Sequence, residues 1–193
     1  MNFISCVAGA AALGLTVFGG TALAQDHVGP VTDYVNANVL PWLSDPLIVK
    51  AINDQNAANA SLGQAEIDAL DQKWRAETEA GSHPMIDEVL GNALSKFLAA
   101  RQEESAGMIA EAFVMDDKGL NVGQSAVTSD YWQGDEAKWQ KSYGAGAGAI
   151  FVDDVEKDES TQALQSQVSI AISDPATDKV IGAITLGINV EGL

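Results

Sequence analysis

Four large aromatic side chains lie close together in the second half of the chain. Tyr131, Trp132, Trp139 and Tyr143 fall within thirteen residues, although the whole chain has only four Trp and three Tyr. Pockets for small molecules combine apolar or aromatic walls with a few fixed polar groups. The segment is therefore the strongest candidate for a ligand site, although the same rings could instead pack as a second small core. The neighbouring polar candidates are Ser125, Asp130, Gln133 and Lys138.

The charges around these rings bear on the kind of ligand. An anion would be bound by Arg or by paired backbone amides, whereas the segment offers only Lys138 and Lys141 as cations. Rings beside Asp130, Asp135 and Glu136 suit an amine or a quaternary ammonium, because aromatic faces attract cations. The expected ligand is a small organic metabolite, an amine or a carboxylate, and the local charges favour the amine.

Sequence patterns of catalysis and metal binding are missing. There is no Gly-x-Ser-x-Gly motif, and neither His27 nor His83 has a metal-ligand partner at helical spacing. The acidic run 153–159 could offer oxygen atoms to calcium, but it lacks the alternating aspartate spacing that wraps a chain around that ion. A solvated loop is the favoured interpretation of this run. We predict no enzyme activity, no cofactor and no metal.

The composition excludes some classes of partner. The chain has 193 residues, enough for one domain or at most two small ones. It carries 27 acidic against 10 basic residues, a formal net charge of −17. A protein this negative is repelled by phosphate backbones, so a nucleic-acid partner is excluded.

The N-terminus has the features of an export signal. Residues 3–24 contain no charged side chain and end in the small-x-small pattern Ala22-Leu23-Ala24. We predict a signal peptide at residues 1–24, cleaved after Ala24, and a periplasmic or secreted mature chain at 25–193. The alternative is an uncleaved N-terminal membrane anchor, since about twenty apolar residues can span a bilayer. Cleavage would also remove Cys6, the only thiol, which suits an oxidising compartment.

The elements that would position the candidate site change type along the mature chain. Apolar residues recur at helical spacing over about 30–105, interrupted at Pro41, at Pro46 and at 81–84. Ser61 to Gln64 forms a capping-box pattern, and an amphipathic stretch from Met85 to Leu98 predicts one further helix. Alternating patterns and turn residues then predict strands over about 108–191. Helices followed by an antiparallel sheet predict an α+β domain.

The run 128–139, Thr-Ser-Asp-Tyr-Trp-Gln-Gly-Asp-Glu-Ala-Lys-Trp, carries a family resemblance. Together with Val122 to Ser125 and the closing run Ile181 to Asn189, it resembles the periplasmic PAS-like sensor domains called Cache or PDC domains, in particular their stand-alone secreted members. The resemblance extends across the mature chain and implies a single Cache domain, with long N-terminal helices packed on a PAS-like antiparallel sheet. Asp174 to Gly182 approximates the family's closing hairpin, with Asp178 and Lys179 where a glycine is common.

The resemblance also implies where a pocket would lie. In Cache domains the pocket lies over the face of the sheet, under the connection between the early and late strands, where residues 129–152 of this chain fall. The predicted ligand-binding residues are Ser125, Asp130, Tyr131, Trp132, Gln133, Lys138, Trp139, Tyr143, Phe151, Gln167 and Ser169.

The function implied is an exported, small-molecule-binding sensory domain. Most relatives continue through a membrane helix into a chemoreceptor, kinase or cyclase, whereas this chain ends at Leu193, just after its last predicted strand. We therefore expect action in trans on a membrane partner such as a sensor kinase or a chemoreceptor. The alternative is a Cache fold without a ligand pocket that only docks on a receptor. The long apolar stripe of the N-terminal helix would suit a homodimer, and the sequence does not show whether one forms.

Overall fold

The structure is a computed structural model that describes residues 27–157 and 163–193. The predicted signal peptide at 1–24, Cys6 within it, and the last two residues of the acidic run lie outside the described residues.

Within the described residues, five helices precede the sheet and a sixth, short one lies between its second and third strands. The predicted α+β class, with helices packed on an antiparallel sheet, is confirmed. The α-helices are α1 (Val28–Asn38), α2 (Pro46–Ala58), α3 (Gln64–Thr78), α4 (Pro84–Gly91), α5 (Ala93–Glu104) and α6 (Ala137–Gln140). The strands are β1 (Ile109–Met115), β2 (Asn121–Gln124), β3 (Ile150–Lys157), β4 (Leu164–Asp174) and β5 (Lys179–Asn189), in the sheet order β2-β1-β5-β4-β3.

Prolines set the first helix boundaries. Pro41 lies in a short 3-10 helix after α1, and Pro46 is the first residue of α2, where its missing N–H is not needed. The Asp45 side chain caps α2 by accepting a hydrogen bond from the Leu47 N–H at 2.8 Å. The predicted interruption at Pro41 and Pro46 is confirmed.

Two helix boundaries differ from the sequence prediction. The capping box predicted from Ser61 to Gln64 is wrong, because the N-cap is Gly63, whose N–H donates to the Glu66 carboxylate at 2.9 Å. The single helix predicted over 85–98 is two helices, because the Asn92 side chain caps α5. A short polar side chain at this position ends one helix and starts the next.

The solvated loop predicted for the acidic run is wrong for residues 153–157, which belong to the edge strand β3. Its apolar part, Ile150 to Val152, pairs with β4, and pairing resumes from Val155 to Lys157 after a bulge. Charged side chains on an exposed sheet edge discourage pairing with another chain. The acidic character that suggested a loop is therefore compatible with an edge strand.

The hairpin between β4 and β5 follows the predicted turn, with one substitution for glycine. Asp178 adopts a φ of +57°, in the left-handed region. Aspartate tolerates this region better than most residues. Asp178 thus supplies the left-handed conformation that this hairpin turn contains.

The main core lies on the face of the sheet that packs against α1, α2 and α5. Ile184, Leu186 and Ile188 alternate along β5 and are fully buried there, together with Val35 and Ile52 of the helices. Full burial of one such side chain contributes about 1.5–3 kcal/mol. The alternation predicted for the last strand is confirmed at these positions.

The turn between β1 and β2 is held by one buried carboxylate. Asp116 has 0% relative exposure, and one carboxylate oxygen accepts the backbone N–H groups of Lys118 and Leu120, both at 2.9 Å. The other oxygen accepts the side-chain amides of Gln55 and Asn59 from α2, both at 3.0 Å. A single side chain therefore shapes the turn and attaches α2 to the sheet.

We predict that Asp116→Ala lowers the free energy of unfolding by about 3 kcal/mol, because several buried donors lose their acceptor. Asp116→Asn should lower the free energy of unfolding by less, because its one side-chain oxygen can still accept hydrogen bonds from one of the two pairs of donors. Urea denaturation followed by circular dichroism measures both. Glu103→Ala, which removes an exposed carboxylate on α5, is the control. Equal stability of the Asp116→Ala and control variants would contradict the role given to Asp116.

Candidate functional site

A polar cleft lies on the face of the sheet opposite the main core. We call it the distal cleft; it is bounded by α6 and by strands β3 and β4, and its volume is about 300 Å³. This is at the small end of the range of about 300–1,000 Å³ found for ligand pockets. Its lining residues are Glu136, Ala137, Lys138, Asp153, Asp154, Glu156, Gln165 and Gln167.

A β-bulge brings two carboxylates to this cleft. Between Val152 and Val155 the register of β3 shifts against β4, so that one extra residue is inserted and both Asp153 and Asp154 reach the lining. Bulges of this kind redirect side chains, often beside binding sites. The backbone of the bulge is held in place because the Asp153 carbonyl accepts hydrogen bonds from the Ser166 hydroxyl at 2.7 Å and from His27 Nε2 at 2.9 Å.

One lysine lies among the carboxylates of the cleft. The Lys138 side chain is only 16% exposed, and its Nζ lies 2.9 Å from Glu136 Oε2 and 5.5 Å above the Phe113 ring. Asp153, Asp154 and Glu156 lie in the same lining, so carboxylates outnumber the single ammonium. The potential in the cleft is therefore negative, which attracts a cation.

The floor of the cleft depends on a glycine in β5. A Cβ on Gly187 would lie 2.8 Å from Gln165 Oε1 and 2.9 Å from Glu111 Cγ. The absent side chain lets these two residues lie over the strand. Gln167 then donates from Nε2 to Glu111 Oε1 at 2.9 Å. Gln167 and Lys138 were predicted from the sequence, but the carboxylates of β3 were not. The apolar residues just before the acidic run, Ile150 to Val152, were the sequence feature that could have indicated a strand there.

Trp139 and Tyr143 lie on the same face of the sheet as the distal cleft but are not in its lining. Their rings stack with centroids 4.8 Å apart and pack against a small cluster formed by Phe113, Met115 and Ala183. The indole of Trp139 donates to the Asp116 carbonyl at 3.2 Å. The pair covers part of the sheet, as the packing alternative expected.

Tyr131 and Trp132 pack in a separate cluster, against α3 and α4. Tyr131 stacks on Trp74 with ring centroids 5.4 Å apart, and the Trp132 indole donates to the Lys118 carbonyl at 2.8 Å. Asp71 on α3 accepts the backbone N–H groups of both residues, at 2.9 and 3.0 Å. The four rings that are neighbours in sequence are thus divided between two separate clusters.

The other polar candidates in the segment make internal contacts. Asp130 pairs with Arg75 at 2.8 Å, and the Arg75 guanidinium also bonds Asp71 at 2.7 Å. Gln133 is buried and donates from Nε2 to the Asp130 carbonyl at 3.0 Å. The Ser125 hydroxyl accepts the Ala112 N–H at 2.9 Å, which fixes the end of β2 to β1.

The two strand candidates Phe151 and Ser169 face each other across β3 and β4. Ser169 is fully buried, with its hydroxyl 2.8 Å from that of Thr185. The Lys141 ammonium lies 4.3 Å above the Phe151 ring. Both residues are beside the distal cleft without lining it.

A second cleft, on the other side of the sheet, contains Tyr131. We call it the helix-side cleft; it lies between α2, the junction of α4 with α5, and β2, and its volume is about 540 Å³. It is lined by Leu47, Lys50, Ala51, Asp54, Gln55, Ala58, Asn59, Asn92, Ala93, Leu94, Val122 and Tyr131.

Over residues 27–157 and 163–193, no three His, Cys, Asp or Glu side chains are grouped so that they could hold a metal ion. No helix in the described part of the chain has both the length and the apolar character needed to cross a membrane.

Comparison with known proteins gives matches to solved structures. No protein-family model matches the chain, and no curated protein matches it. The sensor domain of the Vibrio cholerae histidine kinase DctB is 14% identical, with a TM-score of 0.49, over 86% of this chain and 52% of that one. The ligand-binding domain of the Campylobacter jejuni chemoreceptor Tlp3, in complex with 4-methylisoleucine, is 16% identical, with a TM-score of 0.39, over 93% of this chain and 65% of that one.

The sensor domain of DcuS from E. coli is 20% identical, with a TM-score of 0.37, over 67% of this chain and 95% of that one. The present chain spans about half to two thirds of the DctB and Tlp3 chains. It is similar to sensor domains.

The raised pKa of the buried Tyr131 predicts that the folded protein loses stability at alkaline pH. Burial raises the pKa of Tyr131 well above 10, and the carboxylates of Asp116 and Glu88 raise it further. Above about pH 10 the unfolded chain loses the phenol proton that the folded chain keeps, so stability falls as pH rises, by at most about 1.4 kcal/mol per pH unit for one group. The free energy of unfolding, measured in urea from about pH 8 to about pH 11, should fall less steeply in Tyr131→Phe.

The matched control is Tyr34→Phe. Tyr34 is only half-buried, and burial raises its pKa as well. We expect a smaller change in slope for this variant than for Tyr131→Phe. An unchanged slope in Tyr131→Phe would show that its phenol ionises normally in the folded protein.

Proposed function

We propose that this chain is a sensory domain that binds a small molecule in the distal cleft. The observation that carries the proposal is this cleft over the sheet, where Lys138 and Gln167 lie among the carboxylates of α6 and β3. The proposal is supported by the position of the cleft, which Glu136, Ala137 and Lys138 of the connection between the early and late strands help to line. Precisely placed polar groups fix the orientation of a small molecule, and five of the eight lining residues are charged.

The lining supports a cationic ligand, a small amine or quaternary ammonium. Asp153, Asp154 and Glu156 form the β3 wall, whereas Lys138 is already paired with Glu136. Because Trp139 and Tyr143 stack on each other outside the lining, the attraction for a cation comes from carboxylates rather than from aromatic faces. A carboxylate ligand would have Lys138 as its only cationic partner within the lining.

Titration calorimetry tests both the site and the ligand class. We expect heat with choline or 1,4-diaminobutane and none with acetate or succinate, and weaker binding as salt rises. Asp154→Asn should weaken amine binding about fivefold, as expected for one partly exposed charge pair. Asp135→Asn is the matched control, because Asp135 is an exposed acid close to α6 that is not part of the lining.

Three outcomes would contradict the proposal at different levels. Heat with carboxylates alone would reject the cationic class. An equal effect of Asp154→Asn and Asp135→Asn would reject the distal cleft as the amine site. Absence of binding to either class would reject the sensory function itself.

One observation favours a second candidate, a module that docks on a receptor without a ligand. The four aromatic residues that were predicted to form pocket walls belong instead to two small hydrophobic clusters. These residues are Tyr131, Trp132, Trp139 and Tyr143. Under this alternative, no metabolite raises the melting temperature, since only binding to the native state does so. A thermal-shift screen of amines, carboxylates and amino acids therefore separates the two functions.

We further propose that the chain is exported and acts in trans on a membrane signalling protein. The support is the apolar N-terminal segment with its Ala22-Leu23-Ala24 site and the sequence resemblance to stand-alone secreted members of the family. N-terminal sequencing of chain exported from a bacterial host should begin at Gln25, and exported chain supplied to cells that lack it should restore their response. Retention of residues 1–24 in the membrane fraction would favour the anchor.

A further inference from the structure

The helix-side cleft has the composition of a small-molecule site that is separate from the distal cleft. Leu47, Ala51, Leu94 and Val122 supply apolar walls from α2, α5 and β2. Its volume of about 540 Å³ lies well inside the range of ligand pockets, about 300–1,000 Å³. The two clefts lie on opposite faces of the sheet and have no lining residue in common.

A polar group at this cleft makes no hydrogen bond with the described residues. Tyr131 is only 8% exposed, and its ring is fixed by stacking on Trp74 at 5.4 Å. Among the described residues, its hydroxyl makes no hydrogen bond, although its backbone N–H is bonded to Asp71. The hydroxyl oxygen is accessible to solvent, so it is open to a hydrogen bond with a molecule that enters the cleft.

The remaining polar side chains of the cleft are neutral or already paired. Gln55 and Asn59 donate their amide N–H groups to Asp116, and Asn92 donates to the Val122 carbonyl at 2.8 Å. The charged residues of the lining, Lys50 and Asp54, form an ion pair with each other, with side chains 74% and 65% exposed. The lining therefore leaves no buried charge that would favour an ionic ligand.

We propose that the helix-side cleft binds an uncharged organic molecule with an apolar body and one oxygen, which the Tyr131 hydroxyl hydrogen-bonds. The apolar body lies against Leu47, Leu94 and Val122. An ammonium or carboxylate in the same place loses its hydration without gaining an unpaired counter-ion. Selectivity for the neutral compound over its charged analogues follows.

The experiment compares three probes of similar size: cyclohexanol, cyclohexylammonium and cyclohexanecarboxylate. The readout is the NMR resonance of the Trp74 indole N–H, assigned by its loss in Trp74→Phe, because a ligand at Tyr131 alters the stacked ring pair. Cyclohexanol should shift this resonance with a dissociation constant on the order of millimolar, as suits so small a ligand. The charged probes should shift it at least about tenfold less at equal concentration.

Three variants locate the binding. Tyr131→Phe removes only the hydroxyl and should weaken cyclohexanol binding about three- to tenfold. Ala93→Phe, a bulky substitution at an exposed position of the lining, should abolish it. Asp154→Asn, in the distal cleft, should leave it unchanged. Circular dichroism confirms that each variant is folded.

The proposal is overturned if cyclohexanol leaves the resonance unmoved, or if the charged probes bind equally well. It is also overturned if Tyr131→Phe and Ala93→Phe both bind like the parent chain. Amine binding in the distal cleft is measured by calorimetry with different probes, so failure of either site is distinguishable from failure of the other.

Discussion

The buried carboxylate of Asp116 is the contact on which the arrangement of both clefts depends. Its four side-chain hydrogen bonds join the β1–β2 turn to Gln55 and Asn59 of α2, and its backbone carbonyl accepts the indole of Trp139 on the other face of the sheet. A buried charge is tolerated only when its lone pairs are satisfied, as they are here. Asp116 therefore contacts both α2 at one cleft and Trp139 beside the other.

The aromatic segment illustrates how a sequence motif can have a structural purpose at most of its positions. Asp71 and Arg75 of α3 bind the backbone of Tyr131 and Trp132 and the side chain of Asp130. The segment is thereby pinned over the end of the sheet, and α6 follows it at the rim of the distal cleft. What the motif contributes to the lining of the distal cleft is mainly the placement of Lys138.

Local signals in the sequence were enough to predict much of the fold. The alternation in β5 and the proline boundaries of α2 depend on residues close together in the chain, so they could be predicted without coordinates. The role of Asp71 could not be, because it binds backbone groups sixty residues away, and such contacts leave no periodic pattern. The acidic part of the edge strand β3 was not predicted, because its bulge breaks the alternation and its acidic side chains resemble those of a loop. The division of the four aromatic rings into two clusters could not be predicted either. Proximity in sequence does not determine on which side of a sheet a ring lies.

The hydrogen bond from His27 to the carbonyl of Asp153 joins the point where the chain enters α1 to the bulge in β3. The same bulge forms a wall of the distal cleft. Any widening of that wall must either break this bond or pull the first turn of α1 along with it. The first turn of α1 and the wall of the distal cleft therefore hold each other in place through a single hydrogen bond.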